Sequence, residues 1–298
     1  PAHASTTERY PQPHRVPGAE EVGCDRRDCP AFRQTGLPCQ RLRYRPGRNQ
    51  AIARVLARDV HRFTVVSDEL GEAVRANGIR VDRTVHNAIR PQAERPAPEA
   101  VAAFRARFGL DDKLVLAVGG RLHELKGISQ LFRMLALLRA EFPNVRLLVM
   151  GKEDAYRGGF EQSARAIGVV DLVVPTGWLD GEELKCAFAA LDVLVSPSIC
   201  FETFGLMNLE AMEHDKPVVA TSFGGCPEVV RDGENGFVAN PFHTAEFAER
   251  IGRLLRDPEL RARMGAAGRA LLDRHFTIER LTDEFLEEYD LARAAAAR

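Results

Sequence analysis

The sequence lacks the marks of several protein classes. Its 298 residues contain no apolar run of about 18 or more, so no stretch predicts a membrane-spanning helix. The formal net charge is -1, whereas a general nucleic-acid binder carries a strong basic excess, and we therefore expect no nucleic-acid partner. No charged segment followed by an apolar one opens the chain, so a secretion signal is not indicated.

Cysteine is also scarce, with six scattered along the chain. This usage favours reduced thiols in a cytoplasm over a disulfide framework, so we expect a cytoplasmic protein and leave peripheral membrane contact open. Cys24, Cys29 and Cys39 follow a C-x4-C-x9-C spacing within residues 1–48, which are rich in Pro and Arg and which we predict to be irregular or disordered. Three thiols without a clear fourth ligand make zinc a weaker alternative than free thiols.

Ordered structure is predicted from about residue 49 onward. Residues 49–90 contain two short strand patterns and two helical patterns, and a full Rossmann-like domain needs about five or six strands. The predicted elements are a helix near Ala51 to Leu56, a strand from Arg62, a helix capped by Ser67 and ended by Gly78, and a strand from Thr84 to Ile89. A proline-rich segment beginning at Pro91 is the expected hinge between domains.

The main predicted domain is α/β and spans residues 91–276, followed by a helix in 277–298. Apolar strand patterns alternate here with helical patterns, as in a parallel sheet. One strand, Leu114 to Val118, leads into Gly120 and a loop that carries Arg121 and Lys126 before the next helix. Another strand ends in a turn at Trp178, whose ring is expected either to pack within the fold or to stack on a ligand.

The stretch from Val193 to Asn240 carries the clearest functional pattern. A buried strand, Val193 to Val195, is followed by a loop with Glu202 and Gly205, and then by a helix from Leu206. This order places a helix N-terminus at the carboxyl edge of a parallel sheet, where open α/β folds bind ligands. The free N–H groups and the dipole of that helix start favour a phosphate.

Two carboxylates, Glu202 and Glu210, flank this helix start with seven residues between them. Because a phosphate repels a carboxylate, their expected partners are neutral hydroxyl groups further along the same ligand. A ligand with phosphates in the middle and polyols at both ends is a nucleoside diphosphate sugar. The simpler alternative is that both are solvated surface charges.

The segments Ser198 to Met212, Lys216 to Thr221 and Gly224 to Val230 resemble the retaining glycosyltransferases of family 4, which have the GT-B fold. The resemblance covers about Leu114 to Tyr289 and includes the E-x7-E motif. It implies that Glu202 contacts donor-sugar hydroxyls, as the nearest candidate for a catalytic residue, and that Glu210 contacts the ribose. Backbone amides of Phe204, Gly205 and Leu206 would hold the sugar and the diphosphate.

The resemblance also assigns the loop after the first strand of the main domain. The Gly-Arg-x4-Lys-Gly arrangement of Gly120, Arg121 and Lys126 matches the diphosphate-binding pair of the family, although one Arg and one Lys also occur in a loop by accident. Glu153 departs from the family pattern, which often has a glycine there.

These assignments imply transfer of a hexose from a nucleoside diphosphate sugar to a sugar or lipid-linked acceptor, with retention of configuration and with no metal or other cofactor. The sequence has no Asp-x-Asp pair. The first part of the N-terminal Rossmann-like acceptor domain is expected to be missing. The alternatives are a nucleotide-sugar-binding remnant without catalysis, a partner of a complete glycosyltransferase, and a GT-B epimerase, which the E-x7-E pattern disfavours.

Overall fold

The computed structural model describes residues 47–91 and 94–297. The predictions for residues 1–46, including those for Cys24, Cys29 and Cys39, lie outside these ranges. None of the helices in the described part of the chain combines the length and the apolar composition needed to cross a membrane.

A six-stranded parallel sheet forms the centre of the molecule, in the order β5-β4-β3-β6-β7-β8. The strands are β3 (Leu114–Gly119), β4 (Val145–Met150), β5 (Val173–Gly177), β6 (Val193–Ser196), β7 (Val218–Thr221) and β8 (Gly236–Ala239). The chain runs outward to β5 and then returns to pair β6 with β3, so the strand order reverses between these two strands. Loops diverge at such a reversal and leave a crevice at the carboxyl edge of the sheet.

Both faces of the sheet are covered, which explains its nearly continuous apolar strands. Successive strand residues point to opposite faces, so Leu116 and Val118 enter one core cluster whereas Val115 and Ala117 enter the other. The α-helices of four or more residues after residue 91 are α3 (Pro98–Arg107), α4 (Ile128–Leu138), α5 (Glu161–Ile167), α6 (Gly181–Ala190), α7 (Leu206–Glu213), α8 (Cys226–Val229), α9 (Thr244–Arg256), α10 (Pro258–His275) and α11 (Ile278–Ala296). The predicted α/β class is therefore confirmed.

The described segment before residue 91 forms a small N-terminal unit. It comprises α1 (Arg48–Asp59), β1 (Thr64–Val65), α2 (Asp68–Arg75) and β2 (Arg83–Thr84). The strands pair in parallel through two residues each, so the strand lengths predicted here were wrong. An apolar pattern indicates that a segment forms a strand. The number of its residues that pair with the neighbouring strand depends on how the two segments meet.

The C-terminal helix α11 packs against this N-terminal unit. The guanidinium of Arg62 donates to both carboxylate oxygens of Glu288 at 2.7 and 3.0 Å, and Glu288 is buried. The N–H of Ile89 donates to the carbonyl oxygen of Phe276 at 3.1 Å. The hydrogen bonds from Arg62 hold the pKa of the Glu288 carboxyl below its ordinary value, so the carboxylate is charged at neutral pH.

Ser67 caps α2, as predicted, and Asp257 caps α10. The side chain of Ser67 accepts a hydrogen bond from Leu70 N–H, and that of Asp257 accepts one from Leu260 N–H, with Pro258 in the first turn. Asp180 occupies the position before α6 but its side chain makes no capping bond. The remaining helix N–H groups there rely on other partners or on solvent.

Candidate active site

A cavity of about 550 Å³ lies at the carboxyl ends of β3 and β6, where the strand order reverses. Its walls are the loop after β3, the loop after β6 and the start of α7. Gly120, Arg121, Lys126, Glu202, Gly205 and Leu206 all line it. The structure thus brings together six of the eight residues predicted for the site.

Two glycines allow the loops around this cavity to approach closely. Gly127 has a φ of 70°, and a Cβ atom there would lie 1.9 Å from the carbonyl oxygen of Pro197. Gly224 has a φ of 72°, and its Cβ would lie 2.0 Å from the carbonyl oxygen of Glu202. Contacts this short leave room only for hydrogen, so neither position accepts a side chain without displacing a loop.

Lys126 and Glu202 form an ion pair on the cavity wall. The ammonium of Lys126 lies 2.5 Å from Oε2 of Glu202, and the hydroxyl of Ser198 donates to the same oxygen at 3.1 Å. Burial alone lowers the pKa of Lys126, but the Glu202 carboxylate outweighs it and raises the pKa above its ordinary value. Lys126 is therefore a cation in the site.

Arg121 is the second cation of the loop after β3. Its side chain is exposed and, within residues 47–91 and 94–297, has no ion-pair partner. The N–H of Gly120 donates to the carbonyl oxygen of Met150 at 2.9 Å. Gly120 can therefore give a ligand close access to the backbone, but its N–H is already used.

The start of α7 faces the same cavity. Gly205, with a φ of 91°, precedes the helix, and Leu206 in the first turn is 45% exposed. Phe204 does not line the cavity: its ring is buried and lies 5.9 Å from that of His86 and 5.8 Å from that of Phe276. The ligand contact assigned to the backbone N–H of Phe204 stays a prediction.

Glu210 lies one turn further along α7 and is not part of the cavity wall. It is half-buried, with no hydrogen bond or ion pair among the described residues. Burial raises the pKa of its carboxyl, and the nearby Glu213 raises it further. Trp178 directly follows β5 and is 61% exposed, so its ring is not packed into the core formed by the described residues.

Sequence reasoning missed Ser198 and gave no role to His123. Ser198 is buried at the cavity wall and lies two residues after the end of β6. This position at the carboxyl edge of the sheet was the available signal. His123 also lines the cavity, and its Nδ1 accepts a hydrogen bond from Leu125 N–H at 3.1 Å. That bond helps to fix the short 3-10 helix Glu124–Lys126, which carries the site's lysine.

One group of described side chains has the spacing of a metal site, but it lies away from this cavity. Ligand atoms of Asp68, His86 and Glu228 lie within 4.8 Å of one another. The carboxylate of Glu228 already accepts hydrogen bonds from the backbone N–H groups of Asp68 and Glu69. Since N–H groups that point at a carboxylate crowd a cation, this group fits hydrogen bonding better than a metal.

Known proteins with similar sequences match the part of the chain that builds this site. The family profile described as "Glycosyl transferases group 1" matches residues 101–271. The D-inositol 3-phosphate glycosyltransferase of Streptomyces scabiei (strain 87.22) is 36% identical over 215 residues, covering 68% of this chain and 48% of that protein. The GDP-mannose-dependent alpha-(1-6)-phosphatidylinositol monomannoside mannosyltransferase of Mycolicibacterium smegmatis is 36% identical over 180 residues, covering 58% and 47%.

A solved structure gives the same picture of the fold. Anabaena HepE in complex with UDP and glucose superposes with a TM-score of 0.77 at 22% identity, covering 87% of this chain and 70% of that chain. The chain spans about half the length of the curated relatives it matches.

Proposed function

The chain belongs to the group 1 glycosyltransferases, with the GT-B fold, and we propose that it transfers a hexose from a nucleoside diphosphate sugar to a sugar or lipid-linked acceptor. We further propose that it is a retaining enzyme of family 4 and that it needs no metal. The names of similar proteins support a nucleotide-sugar donor: one relative is named as a GDP-mannose-dependent mannosyltransferase, and the structure of HepE was solved with UDP and glucose.

The observation that carries this proposal is the set of groups converging on the cavity. Arg121 and Lys126 bring two cations, and the start of α7 adds its dipole at the same wall. A diphosphate bears about two or more negative charges and accepts charge-assisted hydrogen bonds from such groups. Glu202, on the same wall, suits the neutral hydroxyls of a sugar attached to that diphosphate.

In this proposal, each group has a role in the transfer step. As the bond between the anomeric carbon and the diphosphate breaks, negative charge grows on the leaving phosphate and positive charge on the sugar. Arg121, Lys126 and the helix start would stabilise the first. The carboxylate of Glu202 would stabilise the second and orient the sugar through its hydroxyls. A leaving phosphate on the acceptor side can take the acceptor's proton, so no covalent nucleophile is assigned.

The direct test is donor binding measured by native mass spectrometry. The purified chain is incubated with a panel of UDP-, GDP- and ADP-sugars, and complexes of one donor per chain are counted. We expect one such complex with at least one donor, and release of its nucleoside diphosphate when acceptors are added. Binding without any release would favour the non-catalytic alternative, and no binding to any donor would contradict the proposal.

Donor binding should survive a metal chelator. Side chains and a helix start supply the positive charge in this proposal, so EDTA should change the affinity for a bound nucleoside diphosphate by less than about twofold, or ~0.4 kcal/mol. Calorimetric titration with and without the chelator measures this. If the chelator abolishes binding and Mg²⁺ or Mn²⁺ restores it, the assignment of the phosphate to Arg121 and Lys126 is wrong.

Replacing Ser198 with alanine should affect the sugar more than the nucleotide. The hydroxyl of Ser198 donates to Oε2 of Glu202 and, among the described residues, forms no hydrogen bond with Arg121 or Lys126. Loss of one hydrogen bond to a charged group costs about 1.5–3 kcal/mol of interaction free energy. We expect about tenfold slower sugar release with unchanged affinity for the nucleoside diphosphate. If the rate of sugar release and the affinity for the nucleoside diphosphate fell by the same factor, Ser198 would support the whole loop and not Glu202 alone.

A further inference from the structure

Glu228, outside the cavity, joins the N-terminal unit to the main domain. Its two carboxylate oxygens accept hydrogen bonds from the first N–H groups of α2, those of Asp68 at 2.8 Å and Glu69 at 2.9 Å. Nε2 of His86, near β2, lies 2.8 Å from the same carboxylate. A single side chain of the main domain therefore holds both a helix start and a ring of the N-terminal unit.

The segment that carries Glu228 also holds the backbone of Glu202. The N–H of Gly225 donates to the carbonyl oxygen of Glu202 at 2.8 Å, and Gly224 pairs with Glu202 as an isolated parallel bridge. A Cβ atom on Gly225 would lie 2.6 Å from Cβ of Ser67, the cap of α2, and also 2.6 Å from the carbonyl oxygen of Thr203. Residues 224–228 are thus packed between the N-terminal unit and the cavity loop.

A second route runs through the ring of His86. Its centroid lies 5.9 Å from that of Phe204, the residue immediately before Gly205 and the start of α7. Arg280 of α11 donates to the carbonyl oxygen of His86 at 2.6 Å, which helps to fix the backbone of His86. Movement of His86 would therefore displace Phe204 and, with it, the start of α7 that faces the cavity.

We infer that Glu228 is a positioning residue, which couples the placement of the N-terminal unit to the loop 202–205 and to the start of α7. Its carboxylate caps α2 and orients His86, while its backbone neighbours hold Glu202. Loss of the carboxylate would loosen α2 and the cavity loop together. Only the identity of the ligand in the cavity rests on the proposed function, because the coupling itself is a property of the free protein.

The charge of Glu228 suits this role. Burial by itself raises the pKa of its carboxyl, but the hydrogen bonds from His86 and from the two backbone N–H groups outweigh it and lower the pKa below its ordinary value. A charged acceptor at a helix start also interacts favourably with the helix dipole. The carboxylate is therefore ionised at neutral pH. In its amide analogue an NH₂ group would replace one of the two oxygens and would face the backbone N–H that donates to that oxygen.

The test is amide hydrogen exchange of the free chain, comparing wild type with Glu228→Gln. We expect exchange about tenfold faster or more in residues 68–70 and also in residues 202–209, with the strands β3 and β4 unchanged. Glu287→Gln is the matched control, since Glu287 pairs with Arg83 of the same N-terminal unit at 2.8 Å but on the exposed surface. That control should leave residues 202–209 as in the wild type.

Faster exchange confined to residues 68–76 would overturn the inference, because Glu228 would then act only as a helix cap. If Glu228→Gln does not fold, His86→Phe keeps a ring against Phe204 while removing the nitrogen that meets Glu228, and it should raise exchange in both segments. Calorimetric titration of the wild type and of the same variants with UDP and GDP measures nucleotide affinity independently of the exchange rates. If neither UDP nor GDP binds the wild type, the result would count against the proposed function but not against the coupling between Glu228 and the cavity loop.

Discussion

Replacement of Gly127 with alanine should destabilise the chain by about 3 kcal/mol or more and abolish nucleotide binding. The residue has a φ of 70°, which costs an L-residue roughly 1–2 kcal/mol. The added Cβ would also lie 1.9 Å from the carbonyl oxygen of Pro197. Relief requires the loops after β3 and β6 to separate, and these loops carry Lys126 and Glu202.

Gly109→Ala is the matched control for this prediction. Gly109 has a φ of 62° but nothing lies within 4 Å of an added Cβ, so its replacement carries the backbone cost without the collision. We expect a loss of only about 1 kcal/mol and unchanged binding. Urea denaturation of the two variants measures the difference. Equal losses would mean that the contact between Gly127 and Pro197 is not as close as the structure has it.

Lys126→Ala should weaken the affinity for a nucleoside diphosphate by about tenfold or more, or ~1.4 kcal/mol. The substitution removes a cation and also leaves the Glu202 carboxylate uncompensated beside the phosphate. The double variant Lys126→Ala with Glu202→Gln should therefore bind more tightly than Lys126→Ala alone. A double-mutant cycle by calorimetry isolates this coupling.

Lys185→Ala provides the control for the loss of a lysine. Lys185 pairs with Glu182 at 3.2 Å on the exposed side of α6 and is not part of the cavity wall. Its removal should leave the nucleotide affinity unchanged. If Lys126→Ala behaves like Lys185→Ala, the phosphate does not bind at Lys126.

The sheet could be predicted from the sequence because its strands are buried on both faces. Runs such as Leu114 to Val118 and Val193 to Val195 read as strands without knowledge of their partners. The short strands of the N-terminal unit were predicted too long, since pairing of Thr64 and Val65 with Arg83 and Thr84 depends on how two distant segments meet. Local patterns carry no such information.

The candidate site was predictable in its composition but not in its contacts. Residue type and spacing indicated Arg121, Lys126 and Glu202 as site residues. The ion pair between Lys126 and Glu202 arises from two loops that are 76 residues apart in sequence, and their approach depends on a glycine against a carbonyl oxygen. Glu210, assigned to the ribose from a motif, lies outside the cavity wall, and that assignment stays a prediction.

The central claim is that the cavity at β3 and β6 binds the diphosphate of a nucleotide. Calorimetric titration of the chain with UDP, GDP and ADP, and with the corresponding monophosphates, tests it most directly. At least one diphosphate should bind about tenfold or more tightly than its monophosphate, because the second phosphate adds charge-assisted hydrogen bonds of about 1.5–3 kcal/mol each. Equal affinity for diphosphate and monophosphate with all three bases would contradict the account.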